Sequence, residues 1–442
     1  MKFRLIVAVT AATFFSLAGT AQEKKTLTLD EAINLGITNS KLLKNDQAKI
    51  EEATAALKEA VEKRLPNASI SGAYLLLNSP NIDLKTKSNS NSGGSGETPK
   101  VSQALYGLMN VSLPIYAGGR ITYGIESSKL LEQATKLDAD LEKDEVIQNT
   151  IEAYANLFKA RTAIRLMSEN LLQAQQRVKD FENLVNNGLM ARNDLLKAQL
   201  QASNTEMSLL DAENNYQLAT VNMNLMLGLP TATELVLDTS GIEKKEDNRN
   251  LPDYLQAALS NRKDAAALQL RKQAAATNVK SVKAEMYPSL QLTGGYIAAD
   301  IPNLLTITNA VNIGVGVSYN IGSLWKTKSK VQQAEAKVKQ LSIANEMIDD
   351  NITLQVNKSY LSLISSRKKI EVTAKAYEQA SENYRIVKNK FDNNLATATD
   401  LLEADTALLQ ATMAHTLSKA DAFVAYHKLL ETSGLLATEL KK

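Results

Sequence analysis

His415 and His427 are the only histidines in the chain, and there is no cysteine. Both histidines fall in the last long helical stretch, too far apart to share one turn. They therefore form neither a metal pair nor a base with an adjacent partner, and a packing role is the default reading. No glycine loop that could cradle a phosphate and no nucleophile elbow is present. Without a thiol there is no disulfide, no thiolate nucleophile and no lipid attached to cysteine. Catalysis finds no residues to carry it, so the chain reads as no enzyme, with no cofactor and no metal. The chemistry left is that of carboxylates at helix starts. Asn193-Asp194 and Thr399-Asp400 each follow a short turn. A capping side chain and a first-turn acid there would satisfy free amides and the helix dipole.

Residues 1 to 21 read as a secretory signal, with Lys2 and Arg4 before an apolar run from Leu5 to Leu17 and Gly19-Thr20-Ala21 as the cleavage site. The run is shorter than the ~20 residues a membrane-spanning helix needs. Export without disulfides points to a bacterial envelope. Removing the signal takes two of the 50 basic residues and none of the 48 acidic ones, leaving a balanced chain. Nucleic-acid binding would call for a basic excess, so that class is excluded.

The carboxylates must be positioned by the elements around them, and these come in duplicate. Pro66, Gly72 and Tyr74 recur at one constant offset as Pro288, Gly294 and Tyr296, and Asn39 as Asn261. From Val111 onward the offset is shorter: Tyr154 matches Tyr360, Asp194 matches Asp400, and Gly228 matches Gly434. The difference is an insertion in the first copy that holds the loop Ser88 to Gly96, expected to face water. Each copy has two period-two stretches, 65–75 with 105–115 and 287–297 with 311–321. One face is apolar and the other small and polar, as in a strand between lipid and a wet lumen or one half-buried in a soluble sandwich. Tyr74, Tyr106, Tyr116, Tyr287, Tyr296, Tyr319 and Trp325 gather near these stretches, which suits an interfacial girdle.

Helices are expected over 28–64 and 251–285, and longer ones, of ~100 Å, over 120–186 and 326–392. Met167, Leu171, Ala174, Val178, Phe181 and Val185 space as a coiled-coil seam, which breaks near Asp144. Asn186-Asn187-Gly188-Leu189 and Asn393-Asn394-Leu395 end the long helices, with Gly188 and Asn394 suited to a left-handed cap. Four strands cannot close a barrel, and an open sheet edge cannot face lipid. A membrane reading therefore requires several chains, while a periplasmic coiled-coil adaptor or scaffold that never enters a membrane is the rival class.

Signal, tandem repeat, two strands and a helix hairpin per repeat resemble the TolC-like outer membrane efflux family. Pro114-Ile115-Tyr116-Ala117-Gly118-Gly119-Arg120 is similar to its strand-to-helix motif. The turns Asn187-Gly188-Leu189 with Asp194, and Asn394-Leu395 with Thr399-Asp400-Leu401-Leu402, resemble its two helix tips. The resemblance implies a mainly α fold with β: a long coiled-coil helical tunnel plus a transmembrane barrel built from four strands per chain in a homotrimer. It implies a signal peptide (1–21), a first repeat (22–230), an equatorial linker (231–250) and a second repeat (251–442). The implied partners are outer-membrane lipid, a periplasmic membrane-fusion adaptor and an inner-membrane transporter. The tips Asn187, Gly188, Leu189, Asp194, Asn394 and Leu395 would dock the adaptor.

By the same resemblance Asp400 and Glu403 match two acids that ring the closed aperture. Their spacing puts both on one helix face. The alternatives are helix-start stabilisation for Asp400 and a solvated helix face for Glu403. The family's tip-closing arginine matches Ala396 here, opposite Asp194, so that link is absent, and Arg192 is the candidate substitute. Phe391 stands where the family has a latching tyrosine, and it lacks the hydroxyl.

Overall fold

The computed structural model describes residues 24–78, 80, 101–238 and 249–440. The expected signal, the loop Ser88 to Gly96 and residues 239–248 of the expected linker lie outside the described residues. The chain divides into two compact units, one of residues 1–47, 138–265 and 348–442, the other of residues 48–137 and 266–347.

In the second unit the period-two stretches form one antiparallel sheet. Strands β2 (Asn67–Leu76), β3 (Gln103–Tyr116), β5 (Ser289–Ile301) and β6 (Leu305–Ser318) run in the order β2-β3-β5-β6. Register sets the faces: Ser69 lies opposite Asn110, Asn110 opposite Gly295, and Gly295 opposite Asn312, a row of small and polar residues. The neighbouring row is Ile70, Met109, Tyr296 and Val311. Of all residues in these four strands only Ala104 is buried. Ile70 is 82% exposed and Ile313 83%, so no second sheet covers the apolar face. β2 and β6 each leave one edge unpaired among the described residues.

Strand β6 differs from the sequence expectation at its end. It begins at Leu305 and stops at Ser318, so Tyr319 and Ile321 are not in the sheet. The Asn320 carbonyl accepts from the Ser323 amide (2.9 Å) and hydroxyl (2.6 Å), and that turn starts the following helix. At the corresponding corner after β3, Gly118 has φ +65°, and a Cβ there would lie 2.7 Å from the Ala284 carbonyl oxygen. Only glycine fits both the backbone and the space.

The helices are α1 (Leu29–Asn39), α2 (Lys41–Glu62), α3 (Arg120–Asn186), α4 (Arg192–Leu227), α5 (Leu251–Asn261), α6 (Lys263–Lys283), α7 (Ser323–Asp392), α8 (Ala398–Thr432) and α9 (Leu436–Glu439). The expectation of unbroken helices over 28–64 and 251–285 is corrected. Each is split, at Ser40 (ψ 122°) and Arg262 (ψ 126°). The reason is a long-range fit at the residue just before each break. Asn39 Nδ2 donates to the Leu227 carbonyl (2.7 Å), and a Cβ on Gly228 would lie 2.7 Å from Asn39 Cβ. Asn261 sits likewise against Gly434, 3.2 Å from where its Cβ would be. Gly228 (φ +69°) and Gly434 (φ +67°) are left-handed caps of the kind that close a helix. The duplicated Asn and Gly positions of the sequence are thus two halves of one contact.

The first unit holds two cores near these caps. Strand β1 (Lys24–Leu27) pairs in parallel with β4 (Glu234–Leu237) over Tyr154, Leu157, Met223 and Leu227. The Tyr154 hydroxyl, fully buried, lies 3.0 Å from the Leu27 carbonyl and 2.5 Å from that of Asp238. The other core gathers Ile147, Ile151, Tyr254, Ile352, Val356, Phe423, Leu429 and Leu430 from four helices. Each fully buried aliphatic side chain there contributes about 1.5–3 kcal/mol relative to exposure. His427 belongs here. Its Nδ1 lies 2.9 Å from the Phe423 carbonyl, with the Phe423 ring 4.4 Å and the Tyr426 ring 5.4 Å away. His415 stacks on Tyr377 at 6.1 Å.

Candidate functional site at the helix turns

The two turns that end α3 and α7 have the same build. Gly188 (φ +72°) and Asn394 (φ +59°) take the left-handed conformation. Leu189 N donates to the Leu184 carbonyl (2.8 Å) and Gly188 N to that of Val185 (3.0 Å). Leu395 N and Asn394 N repeat this with Lys390 (2.7 Å) and Phe391 (2.9 Å). These pairs of bonds satisfy the last carbonyls of each helix. Asn187 and Asn393 add side-chain bonds to the carbonyls of Asn183 and Asn389, both 2.7 Å. The hydrogen bonding holds the turns rigid and leaves their apolar tips outside: Leu189 is 74% exposed and Leu395 76%.

The helices that leave the turns start two residues earlier than the sequence suggested. The N-cap of α4 is Ala191, with no side-chain cap bond, and that of α8 is Thr397. Thr397 and Asp400 form a capping box. Asp400 N donates to Thr397 Oγ1 (3.1 Å), and Thr397 N (2.8 Å) and its hydroxyl (2.7 Å) donate to Asp400 Oδ2. Thr397 wins over Thr399 because its hydroxyl reaches the amide three residues on. The hydroxyl bond first, and the backbone bond next, hold the Asp400 carboxyl below its ordinary range. Asp400 is thus ionised, exposed, and engaged at the helix start. Glu403 is exposed one turn further on, on the same side of α8.

Asp194 lies in the first turn of α4 and meets Lys197 at 3.4 Å. Lys197 Nζ also donates to Thr399 Oγ1 (2.9 Å), tying the start of α4 to that of α8. Arg192 does not take over the missing arginine link: it is exposed and makes no ion pair among the described residues. The Phe391 ring packs tilted against that of Phe181, centroids 5.6 Å apart, instead of offering a hydroxyl, beside a cluster of Phe181, Ala198, Ala398 and Leu401.

The strongest polar contact near the turns is one that sequence reasoning missed. Arg177 of α3 donates through Nη1 to Asp405 Oδ2 of α8 (2.7 Å) and through Nη2 to the Tyr384 hydroxyl of α7 (3.3 Å). The two charged side chains are 10% and 6% exposed. Burial alone would lower the Arg177 pKa, but the Asp405 hydrogen bond and charge overcome it and raise the guanidinium above its ordinary range. Three helices are joined here by one fully charged group. Arg177 stands beside the seam residue Val178, and a basic residue next to the seam was the available signal, but its partner lies 228 residues away.

The arrangement holds no nucleophile, no base with an orienting partner, and among the described residues no group of three His, Cys, Asp or Glu able to hold a metal. It offers a hydrogen-bonded, acid-bearing end on paired helical hairpins. Known proteins share the family and the fold. A sequence model described as "Outer membrane efflux protein" matches residues 33–229 and 254–434. The outer membrane efflux protein BepC of Brucella suis biovar 1 (strain 1330) is 20% identical over 358 residues, covering 78% of this chain and 75% of that protein. Two solved structures share the fold. The Campylobacter jejuni outer membrane channel CmeC matches at TM-score 0.76 with 18% identity, over 92% of this chain and 86% of that one. The Vibrio cholerae outer membrane protein VceC matches at TM-score 0.74 with 18% identity, over 92% and 96%. Family and fold are those of channels and not of enzymes. The chain belongs to the outer membrane efflux protein family, and its place is the outer membrane with a helical tunnel on the periplasmic side.

Proposed function

We propose that three copies of this chain form an export channel, in which three sheets close a twelve-stranded barrel through the outer membrane and the long helices build the tunnel below it. The observation that carries this reading is the sheet β2-β3-β5-β6, with both outer edges unpaired among the described residues and its apolar face uncovered. Lipid accepts an apolar face but not unpaired amides, so the edges need partners from further copies. Twelve strands are three sheets of four. On this reading residues 22–230 and 251–442 are two structural repeats joined by a linker at 231–250. Small molecules or polypeptides would pass from the periplasm or cytoplasm to the outside, delivered by an inner-membrane transporter through a periplasmic adaptor. The exposed turns bearing Asn187, Gly188, Leu189, Asp194, Asn394 and Leu395 are its docking sites. Leu189 and Leu395 supply the apolar contact that a partner helix tip would bury.

The mass of the mature protein in detergent tests the assembly. A trimer is expected, and a monodisperse monomer with its strands folded would overturn the reading. At the tunnel end, Asp400 and Glu403 of three copies would make two rings of three carboxylates, which concentrate cations and repel one another unless screened. A multivalent cation added on the tip side should therefore reduce conductance through reconstituted channels. Asp400→Asn with Glu403→Gln should abolish that block and weaken cation selectivity. The amide substitutions keep side-chain shape, whereas alanine would also remove the Asp400 half of the capping box. Unchanged block and selectivity in the double variant would leave Asp400 as a helix cap only.

A further inference from the structure

The sheet of the second unit is almost free of charge, and its two ends are not alike. Its four strands hold one carboxylate, Asp300, and no lysine or arginine. At the end away from the helices Tyr74, Leu105, Asp300 and Thr306 share one row, and Asp300 accepts from the Thr306 hydroxyl (2.8 Å). At the helix end the last row of the apolar face is Tyr116, Leu290 and Val317. Between these rows β5 rises about 34 Å, or about 25 Å once tilted by ~40°, the height of a membrane barrel's apolar band. Tyr116, Tyr287 and Trp325 are exposed at the helix end, and the Trp325 ring lies 3.8 Å from where a Cβ on the corner residue Gly322 would stand.

The charge begins where the sheet stops. In the twelve residues flanking each strand on the helix side, 55–66, 117–128, 277–288 and 319–330, nine lysines and arginines stand against four glutamates. Several of these cations are matched: Lys63 with Glu59 (3.4 Å), Lys283 with Glu335 (3.0 Å) and Lys330 with Glu285 (2.6 Å), while Lys280 lies over the Tyr123 ring (6.0 Å). Arg64, Arg120, Lys326 and Lys328 are exposed and make no ion pair among the described residues. The charge nearest the helix end of β2, β3 and β6 is in each case one of these cations; for β5 it is Glu285, which Lys330 holds. No such excess exists at the other end, where the described residues carry only Asp300. Cations just beyond an aromatic row can lay their stems along apolar surface and hold their charge at the level of lipid phosphates.

We propose, on the membrane placement given above, that this collar binds the headgroups of anionic phospholipids in the leaflet on the helix side, with Arg64, Arg120, Lys326 and Lys328 as the phosphate contacts. Trp325 is the only tryptophan, so its fluorescence reports the lipid beside the collar. The full mature protein is reconstituted in phosphatidylcholine vesicles in which a rising share is brominated phosphatidylglycerol or, as the control, brominated phosphatidylcholine. Bromine quenches on contact, so the two curves give the relative affinity of the two headgroups. Phosphatidylglycerol should be preferred at least about threefold, and the preference should vanish in ~1 M salt, where charges act over only about 3 Å. Arg64→Gln, Arg120→Gln, Lys326→Gln and Lys328→Gln together should bring the ratio to about one, with quenching by phosphatidylcholine unchanged. Inorganic phosphate should reduce the preference no more than chloride at equal ionic strength. If phosphate alone abolished it, the cations would serve a free anion, and the lipid assignment would fall. Equal quenching by the two lipids in the unaltered protein, or an undiminished preference in the glutamine variant, would overturn the proposal and leave the channel reading standing. Quenching by neither lipid would overturn both.

Discussion

Asp405→Ala should destabilise the protein by about 3–5 kcal/mol, the range found when one partner of a buried ion pair is removed. Arg177 would then keep its charge at 10% side-chain exposure with only the Tyr384 hydroxyl at 3.3 Å for company. Arg177→Met should do comparable damage by stranding the Asp405 carboxylate, which is more deeply buried at 6%. The double variant Arg177→Met with Asp405→Leu should recover most of the loss, because two apolar side chains of similar volume need no desolvation. Thermal unfolding in detergent, read across the four proteins as a double-mutant cycle, gives the coupling directly. The single variants should also leak in reconstituted bilayers, since α3, α7 and α8 lose the group that joins them beside the turns. Additive, small effects would mean that the turns are held by the apolar cluster around Phe181 and by the Lys197–Thr399 bond.

The second large effect is an alkaline one. Burial first, and then the charge of Asp238, push the Tyr154 hydroxyl up to about 12. In the unfolded chain the same phenol titrates near ~10. A pKa raised by folding means that the folded state holds the proton more tightly. Its contribution is therefore complete below the unfolded value and is lost as pH climbs through the folded one. Between about pH 10 and 12 the protein should lose about 2–3 kcal/mol from this one group. Tyr154→Phe should lack that component of the alkaline loss. At neutral pH it should be about 1 kcal/mol less stable, for want of the bonds to the Leu27 and Asp238 carbonyls. Parallel alkaline curves for the two proteins would refute the assignment.

Much of the fold is legible in the sequence because its signals are local. Strand alternation within 289–297 and 311–318, the uninterrupted run of α3, and left-handed Gly188 and Asn394 all follow from neighbours a few residues apart. The exposed apolar face of the sheet shows that no second sheet among the described residues packs on it, which alternation alone left open. Features set by distant residues were not legible. The helix breaks at Ser40 and Arg262 answer to Gly228 and Gly434, and the seam's fault at Asp144 is a charge held by Lys263. Asp400 was legible as a first-turn acid, yet its capping box depends on which threonine reaches it, a matter of one turn's geometry. Arg177 and Asp405 stand out only once three helices are side by side.

The pairing of Lys24 with Glu234 bears on the order in which the molecule can assemble. A chain exported amino end first presents β1 before any of its partners exist. The strand that closes over Leu27 follows only after α3 and α4 have been delivered. Until then the first strand has no ladder, and Tyr154 has no carbonyls to hold. Contacts so far apart in sequence are reached late, because the loop between them must be closed first. The amino end is thus a late-locking part, and a chain cut short before Glu234 cannot complete the strand with which it begins.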